Sequence, residues 1–283
     1  MHALGLDVAG PAVTAVVVDA RGQIVRRGAT STGAPRALIA ELTRGLSIGA
    51  IGMALETGVN ELAGAIPEGM PAPVMCTPGV AAVTAETWTG TASGARHVVC
   101  LAIGERVLAG ILLDGRPWNG AHGLAGSAAW LALNPVERQD YRKFGSLAAE
   151  VSNKGIARRL SWRIQAGDHS AVLERAGDLE SITAAHVFAG ARSGDGVSIS
   201  VVRDTAKYIG MAIANLATTL DPEIVVLGGA IADAGDLLLE PVRQEAARRM
   251  PSGMIDRVRI EMSPLGVDAI AIGAARIALL AQT

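Results

Sequence analysis

The chain has few aromatic residues, and this shortage limits the kind of core it can build. Tryptophan, tyrosine and phenylalanine make up 3% of the 283 residues, whereas 50% are hydrophobic and 34 are glycine. A chain of this length and hydrophobicity is neither disordered nor of low complexity, and it can bury a large core. We therefore expect an aliphatic, closely packed core and frequent glycine-rich turns.

Cysteine is almost as scarce. Cys76 and Cys100 each lie in an apolar stretch that is typical of a strand. Cysteine in such a setting behaves as a small buried hydrophobe. We expect two structural thiols, no disulfide framework and a cytoplasmic protein.

An excess of charge of either sign is also absent, because the formal net charge is −2. So balanced a chain has no basic footprint for nucleic acid or for an anionic membrane, and neither partner is expected. The arginines within residues 156–163 and 243–249 are predicted to lie on solvated helix faces.

Long uninterrupted apolar runs are missing as well, although mean hydropathy is positive at +0.35. The longest uncharged stretches, such as residues 69–85, contain proline and glycine and do not predict a membrane-spanning helix. Asp7 interrupts the first apolar run and no basic segment precedes it, so we expect no signal peptide.

Hydrophobic patterning predicts a strand–strand–strand–helix–strand unit twice along the chain. The first copy has strands at residues 3–8, 12–19 and 23–29, a helix from Pro35 and a strand at 49–55, and a further strand is predicted at 73–77. The second copy has a turn at Asp114-Gly115, strands at 97–103, 107–113 and 222–227, and a helix at 232–249. Helices are also predicted at 145–164 and 182–219, and small residues of the latter, from Ala206 to Ala217, predict close packing. This duplication predicts an α/β protein with two lobes and a cleft between them.

The first strand delivers Asp7 and Gly10 to a turn, in the sequence Leu-Gly-Leu-Asp-Val-Ala-Gly-Pro. This segment resembles the first phosphate segment of the sugar kinase, actin and heat-shock superfamily, where backbone amides and a hydroxyl approach nucleotide phosphates. Here Ala9 and Pro11 stand at the places of a glycine and a threonine. Pro11 has neither an N–H nor a hydroxyl to donate.

Three later segments resemble the ROK family of sugar kinases and repressors. They are residues 115–126, with Gly-Ala-His-Gly around His122, residues 215–230, with Gly228-Gly229, and residues 265–276. The segments occur in order and span nearly the whole chain. The resemblance implies a two-lobed actin-like ATPase fold of the ribonuclease H-like type, with duplicated mixed-sheet domains around a cleft.

The resemblance also implies lobe boundaries. Residues 1–93 would form a small amino-terminal lobe, onto which a carboxy-terminal helix at about 268–283 packs back. Residues 94–267 would form a large lobe.

ROK kinases transfer the terminal phosphate of ATP to a sugar hydroxyl, and an aspartate accepts the hydroxyl proton. That aspartate follows an asparagine in the family pattern Asn-Asp-x-Asn-Ala-Ala-x-x-x-Glu. The matching segment here runs from Thr77 to Glu86 and puts Thr77 at the asparagine and Pro78 at the aspartate. Loss of a general base typically costs about 10²- to 10⁴-fold in rate.

Other sugar-binding positions of the family differ too. The family pattern Gly-Glu-x-Gly-His corresponds to residues 126–130, so that Ser127 replaces the glutamate and Trp130 replaces the histidine. We expect Trp130 to be a buried core residue, with stacking on a sugar as the alternative. Ala148 stands where a further sugar-binding glutamate would be, and Glu150 does not substitute for it. The cysteines of the family's zinc loop are absent, so we expect no structural zinc and no other metal.

The nucleotide side is altered in the same way. The second phosphate segment runs from Gly104 to Gly110 and carries Glu105, which would place a negative charge near a polyphosphate. The nucleotide-cleft candidates are Asp7, Gly10, Gly104, Gly228 and Gly229. The last two glycines also have a structural alternative, as turn residues after a buried strand.

These replacements favour a non-catalytic homologue with a sugar-sensing, regulatory or protein-interaction role. The alternative is an active, Mg-ATP-dependent hexose or amino sugar kinase with an atypical site, and a structural partner of an active homologue is a third possibility. His122 is the best candidate for a ligand contact, although a structural turn contact fits equally. Family members commonly form dimers, so we expect a homodimer. ROK repressors carry an added helix-turn-helix domain before the first strand, which we do not expect here.

Overall fold

The computed structural model describes residues 2–31, 35–56 and 65–282. They form two compact units. The first unit comprises residues 1–100, 109–126 and 263–283, and the second comprises residues 101–108 and 127–262. The lobe boundaries that the family resemblance implies stay a prediction.

The first unit is built on a mixed five-stranded sheet with the order β3-β2-β1-β4-β5. Its strands are β1 His2–Ala9, β2 Ala12–Val18, β3 Ile24–Thr30, β4 Ile48–Leu55 and β5 Pro73–Cys76. β1 pairs antiparallel with β2 and parallel with β4, and β4 pairs parallel with β5. The carboxyl ends of three neighbouring strands therefore meet at one edge of the sheet, with Asp7 opposite Ala54 and Ala54 opposite Cys76.

A second five-stranded sheet has the order β10-β9-β6-β7-β8. Its strands are β6 Val98–Ile103, β7 Val107–Leu113, β8 Arg116–Pro117, β9 Ile224–Gly228 and β10 Arg259–Met262. The chain visits the five positions of both sheets in the same sequence, which confirms the predicted duplication. Asp114 and Gly115 join β7 to β8 with φ angles of 55° and 75°, which is the backbone of the predicted tight hairpin turn.

Most of the longer helices lie in the predicted regions, with breaks that the pattern did not predict, and the short helices at residues 139–144, 172–176 and 252–255 were not predicted. In chain order they are α1 Pro35–Thr43, α2 Pro78–Trp88, α3 Gln139–Phe144, α4 Ser146–Val151, α5 Asn153–Gln165, α6 Val172–Ala176, α7 Ala184–Arg192, α8 Gly196–Leu220, α9 Gly235–Ala247, α10 Ser252–Ile255 and α11 Ala269–Leu280. No helix within the described ranges is both long enough and apolar enough to cross a membrane.

Two predicted single helices were wrong, because capping residues divide each of them. Ser152 ends α4 and begins α5, where its hydroxyl accepts a hydrogen bond from the Gly155 amide at 3.1 Å. Asp195 begins α8 in the same way, after Gly194 has turned the chain with a φ of 85°. The predicted helix at 232–249 begins later, at Gly235, because residues 229–234 form a 3-10 turn.

Close backbone packing takes the place of aromatic bulk in the core. α11 lies against the first sheet at Gly5 and Gly52, where a Cβ atom would overlap carbonyl oxygens of the helix. In the second unit, a Cβ at Gly210 of α8 would lie 2.7 Å from the Cβ of Glu245 on α9, which confirms the close packing predicted for the small residues of α8. Tyr141 and Phe188 are the aromatic members of the buried core in the described residues.

Candidate functional site

The segment that matches the family's catalytic aspartate forms the start of α2. Thr77 is the N-cap residue, with an extended backbone, and its Oγ1 accepts a hydrogen bond from the Val80 amide at 3.4 Å. Pro78 is the first helical residue and is buried. Proline suits this position because its N–H would have no partner within the helix and its φ is already helical. Thr77 and Pro78 thus begin a helix, and neither side chain is a proton acceptor like the family's aspartate.

The backbone around this start is tightly packed. A Cβ at Gly110 of β7 would overlap the carbonyl oxygen of Gly79, so the first turn of α2 lies directly against that strand. The Ala109 amide of the same strand donates to the carbonyl of Gly126 at 2.7 Å. The segments that resemble the family's catalytic, second phosphate and sugar-binding segments are therefore held together by their backbones, independently of the side chains that differ.

A cavity of about 1000 Å³ opens beside α2 in the first unit. One face of α2, the ends of β4, β5 and α11, the β7–β8 hairpin and the loop after it form its wall. The described lining residues are Leu55, Met75, Cys76, Thr77, Val80, Thr84, Thr87, Gly94, Ala95, Leu112, Gly115, Pro117, Asn119, His122, Gly123, Ile277 and Leu280. The structure therefore brings Thr77 and His122 to one cavity, and we call it the α2 cavity.

The described wall of the α2 cavity carries no aspartate, glutamate, lysine or arginine. Its titratable members are Cys76 and His122. Burial, and after it the nearby Asp7 carboxylate, raises the pKa of Cys76 to about 12, and its thiol donates to the Met53 carbonyl at 3.6 Å. The thiol is therefore protonated at neutral pH and is no nucleophile. The ring of His122 is exposed.

Sequence reasoning missed two lining residues, Thr84 and Thr87. Their hydroxyls donate to helix carbonyls, Thr84 to Val80 at 2.7 Å and Thr87 to Val83 at 3.1 Å. The signal was present in the spacing, because positions 77, 80, 84 and 87 recur every three or four residues and so share one helix face. Threonine hydroxyls with their hydrogens engaged in this way keep lone pairs that accept hydrogen bonds.

The first phosphate segment keeps its turn. Gly10 has a φ of 60° between β1 and β2, and a Cβ there would meet no atom within 4 Å. Glycine is thus favoured by the backbone conformation of this turn, while the surroundings leave space. Asp7 remains at the carboxyl edge of the first sheet, where Ala54 of β4 lies between it and Cys76 of β5.

The second phosphate segment is held by α5 in the second unit. The Asn153 amide donates to the Gly104 carbonyl at 2.9 Å, and its side chain donates to the Glu105 carboxylate at 3.1 Å. A Cβ at Gly104 would make ordinary contacts only, at 3.5 Å from Ala230, so the fold does not require glycine there. Gly229 is different, because it has a φ of 77° and a Cβ would lie 2.6 Å from the Ile103 carbonyl oxygen. The fold therefore requires glycine at position 229, whether or not a nucleotide binds.

A second cavity, of about 490 Å³, lies beside this segment in the second unit. Its described wall includes three carboxylates, of Glu105, Glu180 and Asp233, and two cations, of Lys154 and Arg192. Arg192 is already bound, since it donates to Asp236 at 2.8 and 2.6 Å. The acidic surplus of the described wall fits a polyphosphate poorly, because unpaired like charges repel. Gly228 ends the buried strand β9, before the 3-10 turn that contributes to this wall.

Ser127 and Trp130 lie in the second unit, at a short 3-10 turn over Ala128–Trp130. Ser127 is exposed, and Trp130 is 58% exposed, so the expectation of a core tryptophan is wrong. Ala128 is the buried residue of the turn. A Cβ at Gly145 would overlap the Ala129 carbonyl, so the backbone of this turn packs closely against the residue that begins α4.

The segment that resembles the family's zinc loop contains a buried ionic network. The Glu150 carboxylate is 5% exposed and accepts hydrogen bonds from the Tyr141 hydroxyl at 2.5 Å, from Arg138 at 3.0 Å and from Arg159 at 2.6 Å. Asp140 binds Arg138 at 2.9 Å and Arg158 at 2.8 Å. The solvated helix face predicted for residues 156–163 is therefore wrong for Arg159, whose side chain is 14% exposed. Within the described residues, no cluster of histidine, cysteine, aspartate and glutamate suits a metal ion, so these residues do not fit the family's zinc.

Comparison with known proteins gives the family. The model of the ROK family matches residues 3–281. Glucokinases of Halalkalibacterium halodurans and Thermotoga maritima are 32% and 29% identical over 68% and 69% of this chain, and the matches span 59% and 62% of those proteins, less than two thirds of their length. A glucokinase of Streptomyces coelicolor is 26% identical over 97% of this chain and 96% of its own.

Solved structures agree with the observed fold. A ROK family glucokinase from Streptomyces griseus, in complex with glucose and AMPPNP, superposes with a TM-score of 0.85 at 23% identity, over 99% of this chain and 100% of its own. A ROK family transcriptional regulator, a homologue of the E. coli MLC protein, superposes with a TM-score of 0.81 at 22% identity, over 98% of this chain and 78% of its own. The two mixed five-stranded sheets are thus those of an actin-like, ROK glucokinase fold. The chain belongs to the ROK family.

Proposed function

We propose that this chain is a non-catalytic member of the ROK family that binds a small sugar and serves in sensing or regulation. Relatives of this chain include glucokinases and a transcriptional regulator, so family membership alone leaves the reaction open. Kinase relatives alone would favour ATP-dependent phosphorylation.

The observation that carries the proposal is Pro78 as the buried first residue of α2, capped by Thr77. A proline side chain can neither accept a proton nor orient a hydroxyl. The described wall of the adjoining α2 cavity offers no carboxylate that could take over the role, and its Cys76 thiol stays protonated. A sugar bound there would find hydrogen-bonding groups without a strong general base.

The acidic surplus of the second-unit cavity supports the proposal independently. Phosphoryl transfer depends on cations and backbone amides that neutralise the phosphates. Glu105 lies in the segment that would have to do this, and it is paired with the neutral Asn153 side chain. A carboxylate in this segment repels a polyphosphate.

An active sugar kinase with an atypical site is the second candidate. It is favoured by Asp7 and Gly10, which keep their places at the carboxyl edge of the first sheet. Lys154, in the second-unit cavity, would then be the cation that meets the phosphates.

A thermal-shift screen followed by an ADP-release assay separates the two candidates. The intact protein is screened with ATP, ADP and a panel of hexoses and amino sugars, each with and without Mg²⁺. The proposal predicts that a neutral sugar stabilises the protein and that Mg-ATP gives no sugar-dependent ADP release. Sugar-dependent turnover would establish the kinase instead, and absence of a shift with every sugar would refute sugar binding.

A further inference from the structure

The α2 cavity is unusual for a sugar site because its described wall is largely apolar and carries no aspartate, glutamate, lysine or arginine. Six aliphatic or thioether side chains line it, those of Leu55, Met75, Val80, Leu112, Ile277 and Leu280. An anionic ligand would lose its hydration there without gaining a lysine or arginine partner, which weakens its binding. The Asp7 carboxylate near Cys76 would repel such a ligand further.

The apolar part of the wall is open to solvent in the free protein. Met75 and Leu280 are each 50% exposed, although both belong to the cavity. Apolar side chains exposed together inside a concave surface are typical of a ligand-binding site. A volume of about 1000 Å³ lies at the upper end of the range for small-molecule pockets, about 300–1,000 Å³. One monosaccharide would leave much of this surface uncovered.

The polar part of the wall lies on α2. Thr84 and Thr87 use their hydroxyl hydrogens on helix carbonyls, so their oxygens face a ligand as hydrogen-bond acceptors. A ligand that matches them carries O–H donors. Asn119 and His122, on the loop after β8, supply both donors and acceptors.

We infer that the ligand of the α2 cavity is a neutral glycoside, in which sugar hydroxyls donate to the α2 threonines and an apolar aglycone covers Met75 and Leu280. This inference rests on the proposed function, since it names the class of sugar that the non-catalytic protein binds. It also excludes sugar phosphates as ligands of this cavity.

Isothermal titration calorimetry of the intact protein tests the inference with three probes: phenyl β-D-glucoside, glucose and glucose 6-phosphate. Covering apolar surface with the phenyl ring is expected to make the glycoside bind about 10- to 100-fold more tightly than glucose. Glucose 6-phosphate is expected to bind at least about tenfold more weakly than glucose, because its charge has no partner in the described wall.

Two matched variants locate the binding. Thr87→Val keeps the size of the side chain but removes the acceptor, and it is expected to weaken phenyl β-D-glucoside by about tenfold. Thr219→Val is the control, because Thr219 is exposed on α8 and its hydroxyl makes the same kind of bond to a helix carbonyl, at 2.7 Å to Asn215. The control is expected to bind the glycoside like the parent protein. Thermal melting of both variants verifies that they are folded.

The outcomes distinguish this inference from the proposed function. Equal affinity for glucose and the phenyl glycoside, or tighter binding of glucose 6-phosphate, would overturn the inference and leave a non-catalytic sugar-binding protein standing. Unchanged binding by the Thr87→Val variant would also overturn it. Sugar-dependent ADP release would refute the proposed function, whichever glycoside binds better.

Discussion

The buried carboxylate of Glu150 lends itself to a quantitative test of how the second unit is held together. It accepts hydrogen bonds from Tyr141 and from two arginines, Arg138 on the segment before α3 and Arg159 on α5. The residue links α4 to α3 and α5, in the region where family members hold zinc. We predict that Glu150→Gln, which keeps the shape and removes the charge, destabilises the protein substantially.

The magnitude follows from burial. Removing one partner of a buried ion pair typically costs about 3–5 kcal/mol, because the other charge is left without compensation. Arg138 keeps its bond to Asp140, and Arg159 keeps a bond to the Glu150 backbone carbonyl at 2.6 Å. We therefore expect a loss of free energy of unfolding at the lower end of this range, about 3 kcal/mol. If the free energy of unfolding falls by about 3 kcal/mol per molar urea, this loss lowers the urea midpoint by about 1 M.

Urea unfolding followed by tryptophan fluorescence is the assay, since Trp162 stacks with Arg138 at 5.1 Å and with Arg158 at 4.7 Å. The control is Glu137→Gln, whose carboxylate pairs with Arg142 at the surface, both side chains being 74% exposed. Such a pair is worth about 0–1 kcal/mol. The reasoning would be refuted if Glu150→Gln cost no more than Glu137→Gln.

Three further changes test other parts of the account. Burial raises the pKa of Glu86, so the folded state favours its protonated form. The stabilisation from this carboxyl is therefore fully present below the ordinary carboxyl pKa and is lost as pH rises through the raised pKa. The Glu86→Gln variant should therefore show a smaller fall of the urea midpoint with rising pH. An equally steep pH dependence in that variant would contradict this. Gly229→Ala should cost more than Gly177→Ala by about 1 kcal/mol or more in urea unfolding, because both have positive φ and only Gly229 meets a carbonyl, that of Ile103, at 2.6 Å. Equal losses of stability in the two variants would show that the backbone around Gly229 moves to accommodate the added Cβ at little cost. Pro78→Asp should fold, since aspartate suits the first turn of a helix, and should show no sugar phosphorylation in an ADP-release assay; measurable phosphorylation would mean that the altered phosphate segments matter less than we infer.

The strands of the first sheet could be predicted from the sequence because their signals are local. Alternating or β-branched apolar residues indicated β1, β2 and β4, and in the second sheet the turn residues Asp114-Gly115 indicated the β7–β8 hairpin. The helix breaks before α5 and α8 also have local signals, because Ser152 and Asp195 are N-cap residues. The apolar pattern continues across both breaks and so predicted uninterrupted helices. Reading the caps before the periodicity would have found both breaks.

The remaining misses depend on distant contacts. Trp130 is 58% exposed on a short 3-10 turn whose backbone packs against Gly145, a contact that no local pattern reports. Arg159 resembles any basic residue on a helix face until Glu150 and Tyr141 are placed beside it. The structure brings two of the site candidates, Thr77 and His122, to one cavity. The apolar wall around them could not be predicted, because it comes from strand ends and from α11, which are far apart along the chain.

The most direct test of the central claim is transfer of phosphate from ATP to a sugar by the intact protein. The sugars that stabilise it in the thermal-shift screen are incubated with γ-³²P-labelled Mg-ATP, and labelled sugar is separated from nucleotide. With Pro78 in place of a general base, we expect sugar binding without labelled sugar above the level of a protein-free control. Labelled sugar that accumulates in proportion to protein concentration would contradict it.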